Sequence, residues 1–178
     1  RITERTVGII GVHLYGCPFD VVGAAELCKR HGLWLLEDAA QAQGAAVCEV
    51  KAGNFGRLAT WSFYPTKNLG AFGDAGAVTG NDQELLERVR LLANHGAVGR
   101  YRHALVGANS RLDALQAAVL NCRLPLLDAD NARRREIAAV YSQGLEGVGD
   151  LELLEVGEGM TSVFHQYTIL TARRDALQ

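Results

Sequence analysis

The stretch VGIIGVHLYGCPFDVVGAAELCKRHGLWLLED, residues 7–38, decides the fold. Residues 7–12 form a short apolar run rich in β-branched side chains, the pattern of a parallel strand buried on both faces. Gly16 and Pro18 punctuate it. Asp20 stands where its carboxylate can accept from the free amides of a first helical turn, so a helix is expected over 21 to about 31. Gly32 can end that helix in a left-handed conformation. A second apolar run, 33–36, then closes on Glu37 and Asp38. Strand, helix and strand in so short a span imply two neighbouring parallel strands joined by a right-handed crossover, hence an α/β sheet.

Reading outward, a turn-rich stretch passes through Gly44, Gly53 and Gly56. Residues 58–64 alternate apolar and small polar side chains and predict a third strand, stopped by Pro65; 75–79 predict a fourth. Asn81 or Asp82 can cap a helix running to about 93. From 111 to about 145 the periodicity is helical, with Leu112, Leu115, Val119 and Leu120 on one face. Pro125 is expected to kink or break it, and Arg133, Arg134 and Arg135 to form a solvated face. Residues 163–171 predict a strand of a further subdomain. No internal repeat or low-complexity segment is present.

The 178 residues suffice for one domain with a sizeable core, and 48% apolar with 21% charged residues is the balance of a folded chain. A net charge of −2 provides no basic surface for nucleic acid or membrane, and no apolar run is long enough to span a bilayer. Cys17, Cys28, Cys48 and Cys122 form no CxxC pair, and His13, His31, His95, His103 and His165 show no metal-ligand spacing. The cysteines therefore read as reduced core residues, which leads us to expect a cytoplasmic protein without a metal. The charged start at Arg1, Glu4 and Arg5 carries no leader pattern. The chain enters a strand almost at once and stops at what reads as the start of a helix, so both ends are expected to be cut.

In an open α/β sheet, ligands bind beyond the carboxyl ends of the strands. Two polar clusters fall there: residues 37–41, with Asp38, and residues 62–68, with Lys67. The pair could be a plain ion pair. It could also form the two poles of a pyridoxal-phosphate (PLP) site, with the carboxylate on the pyridinium nitrogen and the lysine bonded to the cofactor aldehyde. Spacing alone leaves both readings open. Gly70, Gly73 and Gly76 match neither GxGxxG nor a P-loop and are expected to allow tight packing beside Lys67.

The wording of the motifs goes further. Glu37-Asp38-Ala39-Ala40-Gln41-Ala42-Gln43-Gly44-Ala45 resembles the EDAAQAxGA signature of the DegT/DnrJ/EryC1/StrS aminotransferases. Residues 61–71, WSFYPTKNLGA, resemble the same family's lysine motif. Gly73 to Val78, Asn94-His95-Gly96, 107–113 and Gln116-Ala117-Ala118 continue the likeness in order, and Val12 to Gly16 is similar to an earlier family block.

The resemblance implies the large domain of a fold type I PLP enzyme, over residues 1–147, followed by the beginning of a small C-terminal domain at 148–178. It implies transfer of an amino group, with glutamate as donor, to a nucleotide-linked keto sugar. Lys67 would be the Schiff-base lysine, Asp38 the partner of the pyridine nitrogen, Gln41 a contact of the ring's phenolic oxygen, and Ser62 a phosphate donor. Asn109 would reach the cofactor phosphate of a neighbouring subunit, because family active sites lie at a homodimer interface. Tyr101 and His103 are expected on the substrate side.

Departures are few: Gly11 stands where proline is usual, and Ala108 where a larger residue is common. Family chains are about twice as long, and the region supplying the rest of the phosphate and ring contacts has no counterpart here. Two alternatives follow: a piece that binds PLP weakly or is inactive, and a PLP-dependent sugar dehydratase. The dehydratases carry histidine in place of the lysine, and Lys67 argues for transamination.

Overall fold

The structure is a computed structural model and describes residues 1–177. A central sheet has the order β1-β2-β3-β4, with β1 Gly8–Val12, β2 Trp34–Asp38, β3 Leu58–Ser62 and β4 Gly76–Thr79. The first three strands are mutually parallel, and β4 is antiparallel to β3. The reversal has a local reason: the chain between β3 and β4 contains no crossover helix, so it returns on the same side.

Helix α1, Val21–His31, makes the β1–β2 crossover. Asp20 accepts from the Gly23 amide at its start, and Gly32 ends it at φ 64°. Val21 and Cys28 of α1 pack on Leu35 and Val47, with Ile9 and Phe19 at the margin. Gly11 is buried beneath Phe19, and a side-chain carbon at position 11 would overlap that ring. On the opposite face of β1, Ile10 is 62% exposed and Val12 43%. Parallel sheets are normally covered on both faces, and here one face of the edge strand is bare.

Helix α2, Gln83–Ala93, is capped by Asp82 rather than Asn81, through the Leu85 amide. The long helical region is two helices, α3 Ala114–Arg123 and α4 Leu127–Leu145, joined by a 3₁₀ turn, Leu124–Leu126, that contains Pro125. Asp113 caps α3 by accepting from the Leu115 amide, which leaves Leu112 outside the helix. The expected apolar face is correspondingly narrower: Leu120 is buried, and Leu115 is 76% exposed.

The predicted strand over 163–171 is only Ile169–Leu170, paired with Glu152–Leu153. The preceding residues are drawn into other contacts. Met160–Thr161 pairs with Ala46–Val47, which itself forms a hairpin with Val50–Lys51. Val163 is fully buried among Ala39, Ala42, Ala45 and Ala52. All four cysteines are free; Cys28 is buried, Cys17 is half-buried, and Cys48 and Cys122 are exposed, contrary to the expectation of core positions for all. Burial pushes the Cys17 thiol up, away from the reactive thiolate. Among the described residues no helix is long and apolar enough to cross a membrane.

Candidate active site

Asp38 is the last residue of β2, and its Cα partner across the parallel pairing is Thr60 of β3. Ser62 ends β3, and Lys67 follows in a turn closed by its own amide donating to the Tyr64 carbonyl at 2.8 Å. The sheet therefore brings the two polar clusters to neighbouring strand ends. Asp38 and Lys67 nevertheless form no ion pair with each other or with any other described residue. The plain ion-pair reading is thereby excluded.

Asp38, Gln41 and Ser62 each have one polar atom committed to the fold, whereas Lys67 Nζ has no partner among the described residues. Asp38 Oδ1 accepts from the Ala40 amide at 3.0 Å, and Oδ2 has no partner among the described residues. Gln41 Oε1 accepts from the Tyr15 amide at 2.6 Å, where Tyr15 turns at φ 58°. The amide orientation of Gln41 is thus fixed, with its Nε2 donor unspent. Ser62 Oγ accepts from the Tyr64 amide at 3.3 Å and keeps its O–H to donate.

A broad open cavity of about 1360 Å³ lies beside Ser62 and Lys67. It is walled by Trp61 and Ala77 of the sheet and by Asp74 and Arg111, while Asp38 and Gln41 lie outside its lining. Asn109 is exposed and is also outside the lining, although Ala108 and Ser110 on either side contribute to it. Asn109 Oδ1 accepts from Arg111 Nε at 3.2 Å, and its backbone bridges to Asn94, so the residue serves its own loop within this chain. Tyr101 and His103 sit on an exposed hairpin, where His103 Nδ1 lies 2.9 Å from the His95 carbonyl.

Sequence reasoning assigned no role to Glu37 or His13, both fully buried. Glu37 accepts from His13 Nε2 at 3.0 Å and from the amides of Gly53, Phe55 and Gly56 at 2.7, 2.8 and 2.6 Å. Burial alone would push this carboxyl up; the hydrogen bonds from His13, Gly56, Gly53 and Phe55 outweigh it and hold the group below the usual carboxylate range. Glu37 thus secures the loop leading into β3, one residue from Asp38. The signal available in the sequence was a carboxylate at an inward position of a buried strand, which needs several donors to stay there.

The chain matches the DegT/DnrJ/EryC1/StrS aminotransferase family over residues 1–178. It belongs to that family. A pleiotropic regulatory protein of Geobacillus stearothermophilus is 49% identical over 180 residues, 99% of this chain and 48% of the relative. The dTDP-3-amino-3,4,6-trideoxy-alpha-D-glucose transaminase of Streptomyces venezuelae is 48% identical over 177 residues, 99% of this chain and 47% of the relative. Among solved structures, S. venezuelae DesV in complex with a ketimine intermediate superposes with a TM-score of 0.95 at 48% identity, covering 99% of this chain and 47% of that one. NtdA from Bacillus subtilis with bound cofactor PMP gives 0.87 at 31% identity, covering 99% and 40%. The α/β fold is that of the PLP-dependent aminotransferases. The chain spans about half the length of the curated relatives it matches.

Proposed function

We propose that this chain carries the PLP-binding core of a nucleotide-sugar aminotransferase, with glutamate as amino donor, acting in amino-sugar biosynthesis in the cytoplasm as a homodimer. The observation that carries this reading is the set of unspent polar atoms at the two strand ends. Asp38 Oδ2 is an acceptor without a partner among the described residues, whereas Gln41 Nε2, the Ser62 hydroxyl and Lys67 Nζ are donors. An anionic acceptor on one side and donors on the other fit a ring with a protonated nitrogen, a phenolic oxygen and a phosphate.

When bound, PLP supplies a ring that withdraws electrons from the substrate carbon. Asp38 would hold the proton on the ring nitrogen, and Gln41 and Ser62 would orient the group through the phenolic oxygen and phosphate. Lys67 would bond the cofactor through Nζ and later carry the proton between carbon atoms. Asn109, already exposed on its loop, would donate its free Nδ2 to the phosphate held by a second copy. Residues 148–178 would begin the smaller C-terminal domain. The lysine at position 67 favours amino transfer over dehydration.

A second reading, a piece that binds PLP weakly, is favoured by the bare face of β1 at Ile10 and Val12. Absorbance of the purified chain titrated with PLP separates the two. A new visible band that Lys67→Ala abolishes supports the proposal; no band in the unaltered chain refutes it for this chain and leaves the second reading.

A further inference from the structure

Asn68, next to Lys67, is only 5% exposed and donates twice through Nδ2, to Asn131 Oδ1 at 2.8 Å and to the Val163 carbonyl at 2.9 Å. Asn131, 2% exposed, donates in turn to the Gln43 carbonyl at 2.8 Å. The carbonyls of Gln43 and Val163 can only accept, so both side-chain amides are fixed in orientation. The remaining oxygen, Asn68 Oδ1, then faces His165 Nδ1 at 3.2 Å. An amide oxygen cannot donate, so in this contact Nδ1 bears the hydrogen. In the neutral ring Nε2 is therefore a lone-pair acceptor.

Two cations act on this ring through their charge. Lys67 precedes Asn68 in the turn after β3, and Arg134 of α4 donates to the Phe164 carbonyl at 3.2 Å, one residue from His165. Among the described residues no carboxylate joins them at the ring. Burial is the largest influence and lowers the affinity of His165 for a proton; the charges of Lys67 and then Arg134 act in the same direction.

We propose that His165 is the proton-holding partner of Lys67: locked in the Nδ1–H tautomer by the Asn68–Asn131 relay, it takes up on Nε2 the proton that Lys67 gives up when its nitrogen condenses with an aldehyde. The step balances. The ammonium and the aldehyde give an imine, one water and one proton, and that proton goes to the imidazole. The inference rests on Lys67 being the reactive amine. Its physical basis is reciprocal: a charge on Lys67 opposes a charge on His165, and removal of the first permits the second.

The test is an NMR titration of the histidine-labelled chain, without any aldehyde, so that its failure is distinct from a failure to bind PLP. The neutral His165 ring should show the Nδ1–H nitrogen pattern. Lys67→Met should raise its titration midpoint by about half a pH unit or more, whereas Lys67→Arg, which keeps the charge, should not. Unchanged resonances of His13 and His31 certify the fold of each variant. In a second measurement, borohydride trapping of PLP on Lys67 should show an inflection in its pH–rate profile at the His165 midpoint, absent in His165→Gln. An Nε2–H tautomer, equal midpoints in Lys67→Met and the unaltered chain, or an inflection that survives His165→Gln would each overturn the proposal.

Discussion

Replacing Glu37 by glutamine removes a charge and one acceptor while keeping the shape. Four donors converge on this carboxylate: His13 and the Gly53 amide on Oε2, and the amides of Phe55 and Gly56 on Oε1. A glutamine can place its NH₂ on the Oε1 side, where two amides oppose it, or on the Oε2 side, where the Gly53 amide opposes it and His13 can accept by changing tautomer. Losing one hydrogen bond to a charged group, together with the charge assistance of the other three, costs about 3–6 kcal/mol. Sparing the chain the burial of a charge offsets part of that. We therefore expect Glu37→Gln to lower stability by about 2–4 kcal/mol at pH 7, or roughly 10 °C in Tm for a chain of this size. Urea unfolding followed by the fluorescence of Trp34 and Trp61 measures it. The pH dependence supplies the second arm. Because Glu37 is held below its ordinary value, its contribution is present above the unfolded-chain value of about 4.3 and is lost as pH falls through the lower folded value. The gap between the two proteins should be full near neutrality and shrink in acid. A gap under about 1 kcal/mol at pH 7, or one unchanged between about pH 6 and pH 3, refutes the reasoning.

Two further predictions concern local structure. Cys48 and Glu49 form the two-residue turn between Ala46–Val47 and Val50–Lys51 with φ of 46° and 68°, a conformation that costs a residue with a side chain about 1 kcal/mol; Glu49→Gly should stabilise the chain by about that amount in the same urea assay, and no gain would show the turn to be unstrained. Asp150 accepts from Thr171, Arg173 and the Ala172 amide and is held at about 2; a carboxyl-carbon NMR titration should find that midpoint, Thr171→Val should raise it, and an ordinary aspartate midpoint in the unaltered chain would contradict the geometry.

What the sequence disclosed follows from the range of the interactions involved. Asp20 and Asp82 accept from amides three residues on, and the Gly32 amide donates to a carbonyl four residues back, so α1 and α2 were legible within a residue or two at their ends. Asp113 carries the same kind of signal, and setting it aside for the apolar pattern at Leu112 and Leu115 misplaced the start of α3. The strand expected over 163–171 failed because distant partners claim its first half. In the candidate site, the positions of Asp38 and Lys67 could be read from strand ends, but the absence of an ion pair could not. The relay Gln43–Asn131–Asn68–His165 joins residues 88, 63 and 97 positions apart, and no local pattern encodes it.

That separation of Asp38 from Lys67 itself requires an explanation. At 4 Å near a protein surface, opposite unit charges attract by about 4 kcal/mol, enough to draw a flexible lysine onto a carboxylate. Two scaffolds oppose it. One is the parallel register that sets Asp38 opposite Thr60 and so fixes the spacing of the strand ends. The other is residues 160–166. Val163 donates its amide to the Gly16 carbonyl, Ser162 donates its hydroxyl to the same oxygen, and the Gln166 amide donates to Tyr15, whose own amide donates to Gln41. The Val163 carbonyl meanwhile accepts from Asn68 on the Lys67 side. This segment therefore bonds to both halves of the site, which are also joined by the Ala39 amide donating to Thr60 and Gln43 Nε2 donating to the Ser62 carbonyl at 2.6 Å, although Asp38 and Lys67 do not bond to each other. A carboxylate and an ammonium kept apart in this way remain available to a ligand that offers a cation to one and an electrophilic carbon to the other. The same segment carries His165, whose Nδ1 meets Asn68 beside Lys67, so the strap that bonds to both clusters also brings an imidazole to the lysine's turn.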